Sequence, residues 1–218
     1  MTRLKALTLV ALLAPLALAG TAQAADPAPA AAVPGPPPQE LIETTARKLL
    51  NALDADREQA KKDPARVRKL VDEILLPHFD TDYSARLVLG KNWREATPEQ
   101  RKRFIDAFYQ SLLRNYGSSL AEFTADRMKV LPFRGDLSSG QAVVRTEVKR
   151  SNGQIVPVNY TLRATPQGWK AWDVTIEGIS YVRNFRNDVG TEVEQKGLTA
   201  LIERLEKENQ GASPAQPG

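Results

Sequence analysis

Between Gln141 and Ser180 apolar and polar residues alternate with period two, the pattern of strands that bury one face. Ala142, Val144, Thr146 and Val148 point one way, and Val143, Arg145, Glu147 and Lys149 point the other. Val156, Val158, Tyr160 and Leu162 continue the apolar set, and Trp172, Val174 and Ile176 complete it. The stretch therefore reads as an antiparallel meander, and its loops can be tested against that reading. A two-residue turn at Asn152 and Gly153 would set Val148 against Pro157, with the wrong parity. A three-residue loop, Ser151 to Gly153, with the glycine as a left-handed bulge, pairs Val148 with Val156, Thr146 with Val158 and Val144 with Tyr160. The same solution at Pro166, Gln167 and Gly168 predicts Leu162 opposite Trp172, Tyr160 opposite Val174 and Val158 opposite Ile176.

On either side of the meander the period lengthens to that of a helix. Glu40 to Lys62 carries Leu41, Ile42, Ala46, Leu49, Leu50 and Leu53 on one side. Asp63 and Pro64 form an N-cap with proline at the first helical position, followed by Val67, Leu70, Val71, Ile74 and Leu75, and Pro77 stops that helix. A short helix from Asp80 or Thr81 carries Tyr83, Leu87 and Val88 and ends at Gly90. Thr97, Pro98, Glu99 and Gln100 spell a capping box, behind which Phe104, Phe108, Leu112 and Tyr116 recur every four residues, flanked by Ile105 and Tyr109. Arg127 to Phe133 reads as a first strand. After the meander Ile179, Val182, Phe185, Val189 and Val193 return to helical spacing until Lys196 and Gly197, and Leu198, Leu201, Ile202 and Leu205 form a last amphipathic helix. The order predicts an α+β fold, a twisted antiparallel sheet of about four strands with the helices laid on one face.

The ends read differently. Arg3 and Lys5, the apolar run Ala6 to Ala19, and Ala22-Gln23-Ala24 predict a secretory signal peptide over residues 1–24, too short to span a bilayer comfortably. Residues 25–39 read as an alanine- and proline-rich flexible linker, 40–208 as one domain, and 209–218 as a loose tail. There is no cysteine, which excludes disulfides and a lipid-modified leader. The formal net charge of +4 falls to about +2 when Arg3 and Lys5 leave with the signal, and a nearly neutral exported chain is a poor nucleic-acid binder.

Catalytic patterns are absent: there is one histidine, His78, at a helix end, and neither a phosphate-cradling glycine loop nor a nucleophile elbow. Asp173 and Glu177 fall on the sheet face away from the helices, as solvated groups or partners for Arg145 and Arg163. No enzyme, catalytic residue, metal site or cofactor is expected. Arg101, Lys102 and Arg103 read as a solvated helix face, with partner docking as the alternative. The apolar wall from Phe104 to Tyr116, placed to face Val144, Tyr160, Leu162 and Trp172, is either ordinary core or the lining of a slot.

Several separated motifs carry a family resemblance. Pro77-His78-Phe79-Asp80, Leu87 to Arg94 with Lys91-Asn92-Trp93, and Ala96 to Arg101, backed by the Phe104 to Tyr116 series, resemble the MlaC family, the toluene-tolerance auxiliary proteins of an ABC transporter. So do Gly168 to Val174, Glu177 to Ser180, and Gly190 with Lys196, Gly197 and Leu198. The resemblance runs from about Leu41 to Leu205. It implies a soluble, monomeric periplasmic carrier of diacyl phospholipid, with the lipid as cargo and not as cofactor. Such a carrier exchanges lipid between an outer-membrane lipoprotein complex and an inner-membrane ABC transporter with an MCE-domain subunit, maintaining outer-membrane lipid asymmetry. It also implies an NTF2-like-related fold with an apolar slot between sheet and helices.

A carrier is needed because one acyl chain of about sixteen carbons costs roughly 12 kcal/mol to leave in water, at about 0.8 kcal/mol per methylene. Parity and helical spacing nominate as slot lining Val88, Trp93, Phe104, Phe108, Leu112, Tyr116, Val144, Val148, Val158, Tyr160, Leu162, Trp172, Val174 and Ile176. The competing readings are a periplasmic chaperone that holds apolar peptide segments, and an enzyme in an NTF2-like cone built around Tyr160. The latter requires an inward carboxylate that the strand parity does not supply.

Overall fold

A computed structural model describes residues 33–55, 57–120, 127–150 and 152–211, apart from the side chains of 59, 61, 64 and 116–120. The expected signal peptide, most of the linker and residues 212–218 of the tail lie outside these. The helices are α1 (Pro38–Asp54), α2 (Arg57–Lys62), α3 (Pro64–Ile74), a 3-10 turn at Leu76–His78, α4 (Thr81–Leu89), α5 (Asn92–Glu95) and α6 (Pro98–Leu120). Then come strands β1 (Met128–Val130), β2 (Gln141–Lys149), β3 (Ile155–Thr165), β4 (Gly168–Ile176) and β5 (Ile179–Ser180), followed by α7 (Tyr181–Lys196) and α8 (Leu198–Gln210). The strands pair antiparallel in sequence order.

Local signals place most helix ends. Asp63 accepts hydrogen bonds from the N–H groups of Ala65 and Arg66 at 3.0 and 3.2 Å. Asp80 caps α4 through the Tyr83 N–H at 3.0 Å. The capping box at α6 is reciprocal: Gln100 N–H donates to Thr97 Oγ1 at 3.1 Å and Thr97 N–H to Gln100 Oε1 at 2.9 Å. The apolar stripe of α1 ends with Leu53; the polar remainder of the expected long helix forms the separate α2. Helix α1 starts at Pro38, whose fixed φ suits the first helical turn, and α8 continues to Gln210.

The β2–β3 register is the expected one, with Val148 opposite Val156 and Val144 opposite Tyr160. Between β3 and β4, Tyr160 faces Val174 and Val158 faces Ile176, but Leu162 faces Ala171 instead of Trp172. The turn has two residues, Pro166 and Gln167, and the displaced residue appears further along as a bulge at Trp172. Gly168 cannot carry a side chain: its φ is +109° and a Cβ would lie 2.8 Å from the carbonyl oxygen of Pro34. The bulge turns Trp169 and Ala171 onto the inner face beside Leu162 and sends Trp172 toward the helices.

The fifth strand was missed because Ile179 also fits the spacing of the helix that follows. Glu177 and Gly178, at φ +52° and +85°, make a two-residue turn with two positive φ values, which pairs Ile176 with Ile179.

Helices cover the two halves of the fold differently from the expected arrangement. The wall of Phe104 and Phe108 does not lie on Val144 and Leu162. It is covered by Val88 and Leu89 of α4, Val182 and Val189 of α7, and Leu201, Ile202 and Leu205 of α8. Helices α7 and α8 return after the sheet and take that face, so Val144 and Leu162 pack instead against Leu41 and Ile42 of α1. Asp173 is not solvated either: it is 6% exposed, accepts from Ser180 Oγ at 2.6 Å and from Val182 N–H at 3.1 Å, and so anchors the start of α7. Arg163 pairs with Asp80 at 2.7 Å, and Glu177 with Arg150 at 3.6 Å.

Candidate functional site

A domain of this size ordinarily has one contiguous core. Here the described apolar residues fall into four clusters: α4, α6, α7 and α8 together; α1 with α2 and α3; α1 on the upper sheet; and the lower sheet around Val148, Val156 and Val158. Two side chains bridge clusters. Tyr160 packs against both sheet clusters, and Met128 against the lower sheet and the α1–α3 cluster. At this junction the apolar side chains are only half-buried: Tyr160, Val174 and Ile176 on the inner face and Met128 at its edge. Their neighbours Val144, Val158 and Leu162 are sealed at 1, 6 and 0% exposure.

Strand parity explains the chemistry of this face. The inner positions of β2 and β3 from 144 to 162 carry Val, Thr, Val, Val, Val, Tyr and Leu, with no charge. The one inward hydroxyl on β2, Thr146, donates to the Val158 carbonyl at 2.8 Å and is spent within the sheet. The Tyr160 hydroxyl has no hydrogen-bond partner among the described residues, and burial alone pushes its pKa up to about 12.

The nominated lining residues divide accordingly. Val144, Val148, Val158, Tyr160, Leu162, Val174 and Ile176 share the inner sheet face. Val88, Phe104, Phe108, Leu112 and Trp172 join the helical cluster. Phe104 and Phe108 stack there with ring centroids 5.8 Å apart. Trp93 sits on α5 with its ring between the guanidinium groups of Arg86 and Arg101, at 5.5 and 5.2 Å. Tyr116 lies on α6 beyond the described side chains. Met128 was missed at the junction because β1 is three residues long, too short for an alternation to be read.

The basic run at the start of α6 is largely engaged in the fold. Arg101 donates to the carbonyls of Trp93 and Arg94 at 3.0 and 3.3 Å, and Arg103 binds both oxygens of Glu206 at 2.9 and 2.7 Å. His78 is half-buried, and burial, then Lys170 and Lys48, lower its pKa. Two open clefts lie elsewhere, one of about 520 Å³ with Asp188, Glu192, Lys196 and Arg204, the other of about 490 Å³ with Asp82, Trp93, Arg101 and Asp106. Both carry charges unsuited to burying alkyl chains. Among the described residues no helix is long and apolar enough to cross a membrane, and no group of His, Cys, Asp and Glu could hold a metal ion.

The inner sheet face is thus uncharged and incompletely covered at Tyr160, Val174 and Ile176. The sequence model described as MlaC protein matches residues 43–207, from within α1 to within α8. The chain belongs to the MlaC family. The toluene tolerance protein ttg2D of Pseudomonas putida is 33% identical over 161 residues, covering 73% of this chain and 74% of that protein. The intermembrane phospholipid transport system binding protein MlaC of Haemophilus influenzae is 23% identical over 175 residues, covering 78% and 81%. Among solved structures, the phospholipid-binding protein from Ralstonia solanacearum in complex with a phospholipid superposes with a TM-score of 0.73 at 27% identity. That likeness covers 79% of this chain and 97% of the other.

Proposed function

We propose that this MlaC-family chain is a phospholipid-binding carrier of an Mla transport system. It works in the periplasm as a soluble monomer without cofactor or catalytic step. It takes diacyl phospholipid from or to an outer-membrane lipoprotein complex and exchanges it with an inner-membrane ABC transporter through an MCE-domain subunit, which maintains outer-membrane lipid asymmetry. The observation that carries the reading is the likeness, over most of the described domain, to a protein solved with phospholipid bound.

The physical basis is the junction at Tyr160. Half-buried Tyr160, Val174, Ile176 and Met128 form a seam that two acyl chains can enter by parting the sheet clusters from the helices. Each chain gains roughly 12 kcal/mol by leaving water, enough to open a seam between packed clusters. The carrier supplies no energy of its own, so direction follows from its partners' relative affinities or their ATP hydrolysis. Inner-face residues line the slot, while Phe104 and Phe108 belong to the separate helical cluster.

Native mass spectrometry of the purified protein, followed by organic extraction, tests this. A mass excess resolving into stoichiometric diacyl phospholipid is expected. Protein that is free of lipid, takes none from vesicles and instead holds unfolded polypeptide would replace the carrier reading with the chaperone one.

A further inference from the structure

Several buried hydroxyls among the described residues are provided with acceptors. Thr146 donates to Val158 O at 2.8 Å, Thr165 to Gly168 O at 2.7 Å, Ser84 to Trp172 O at 2.6 Å and Ser180 to Asp173 at 2.6 Å. The half-buried phenol of Tyr109 donates to Asp72 at 2.8 Å. Tyr160 differs. Its side chain leaves the inner face of the central strand between Val144 and Val174, with Val158 and Leu162 before and after it on β3. Every one of these neighbours is apolar, and no described group accepts from its hydroxyl. The phenol ring is half-buried and its oxygen is not fully enclosed, so in the empty protein the O–H is left to water and is free to exchange that water for a ligand acceptor. On the adjoining strand the indole N–H of Trp172, packed against the helical cluster, is buried without an acceptor.

The surroundings select what can answer Tyr160. A phosphate or carboxylate would bring a charge to a face that holds no cation, at a prohibitive desolvation cost. An alkyl chain alone would leave the hydroxyl unmet. A neutral carbonyl satisfies both conditions. Burial also keeps the phenol protonated, and so a donor, at every physiological pH.

Resting on the carrier reading, we infer that Tyr160 recognises the acyl ester of the bound lipid, its hydroxyl donating to the ester carbonyl and setting how deep the chain sits. Tyr160 is then a specificity residue for ester-linked over ether-linked glycerophospholipids. The preference is a property of the slot and not of the head group, which stays outside.

The test is a competition. The delipidated full chain is incubated with vesicles holding equal amounts of a diacyl phosphatidylglycerol and its dialkyl ether counterpart of the same chain length, and the bound lipids are extracted and weighed by mass spectrometry. The expected enrichment of ester over ether lipid is roughly five- to ten-fold, the worth of one hydrogen bond made in an apolar site. Tyr160→Phe should bring the ratio to that of the vesicles, and it should leave the thermal midpoint of the empty protein unchanged or raised, because no intramolecular bond is lost. Tyr109→Phe, which loses the bond to Asp72, should lower that midpoint and keep the ester preference. Equal uptake of both lipids by the wild type, or a preference that survives in Tyr160→Phe, overturns the assignment and leaves the carrier reading intact. Uptake of neither lipid by the wild type overturns both.

Discussion

The helical cluster and the inner face of the sheet are built from the same kinds of side chain, yet they are finished differently. Around Phe104 four helices converge, and Phe104, Leu201 and Ile202 are each 0% exposed. On the sheet, Leu162 is equally sealed under α1, but Tyr160, Val174 and Ile176, further along the same face, are half-buried. The first region is closed by helices that reach it from both ends of the chain. The second lies where α1 has ended and α6 is already occupied by α8, α3 and α4. Incomplete cover on that face is what the proposed slot would use.

Substitutions can sharpen or break that contrast. The largest effect is expected from Leu162→Asp, which puts a carboxylate at a sealed position without a partner. It should destabilise by more than about 4 kcal/mol and leave little folded protein by circular dichroism. Phe104→Ala removes a ring from the helical cluster and should cost about 3 to 5 kcal/mol in chemical denaturation, while the protein that remains folded keeps its lipid. Val174→Asp tests the half-buried seam. It should cost only about 1 kcal/mol, because the carboxylate can reach water, yet strip most of the lipid seen by native mass spectrometry. If Val174→Asp unfolds the protein as Leu162→Asp does, the two regions are one core. If it folds and stays fully loaded, the seam is misplaced.

The smallest effect concerns pH. Arg204 holds both oxygens of Glu192 at 2.8 and 2.6 Å between α7 and α8, and that contact lowers the Glu192 pKa below the ordinary 4.5. A depressed carboxyl contributes stability that is present above the unfolded value and is lost as pH falls through the folded one. Arg204→Met should therefore lower the thermal midpoint at neutral pH by the worth of a partly exposed pair, about 1 kcal/mol or less. The difference from wild type should shrink as the pH drops below about 4.5. A difference that stays constant with pH would assign the effect to packing.

Much of this architecture is local and could be read from the chain. The capping box at Thr97 needs only four residues, and the Asp63–Pro64 start of α3 only two. The β2–β3 register followed from parity because a one-residue slip would have turned every valine outward. At β3–β4 the same reasoning was right for Tyr160 and Val174 and wrong for Leu162, since a bulge restores parity at a position that alternation cannot reveal. The bulge has a tertiary cause. Trp172 is wanted among the helices, where it meets Tyr83 edge to face at 5.5 Å, while Gly168 must pass under Pro34.

Where the nominated residues pack was half legible for the same reason. Parity assembled its inner-sheet residues, but helical spacing also nominated Phe104 and Phe108, because an amphipathic stripe records that a face is buried and not what buries it. Asp173 shows the converse: a polar residue on the expected solvent face that α7 covers and uses as its anchor. Periodicity and caps are interactions within a few residues of each other, so the chain alone sets its helices, strands and the uncharged inner face. The pairing of faces depends on where α7 and α8 arrive after the sheet is complete. That long-range competition for apolar surface, settled only in the folded molecule, closes the helical cluster and leaves Tyr160 half-buried on the inner sheet face.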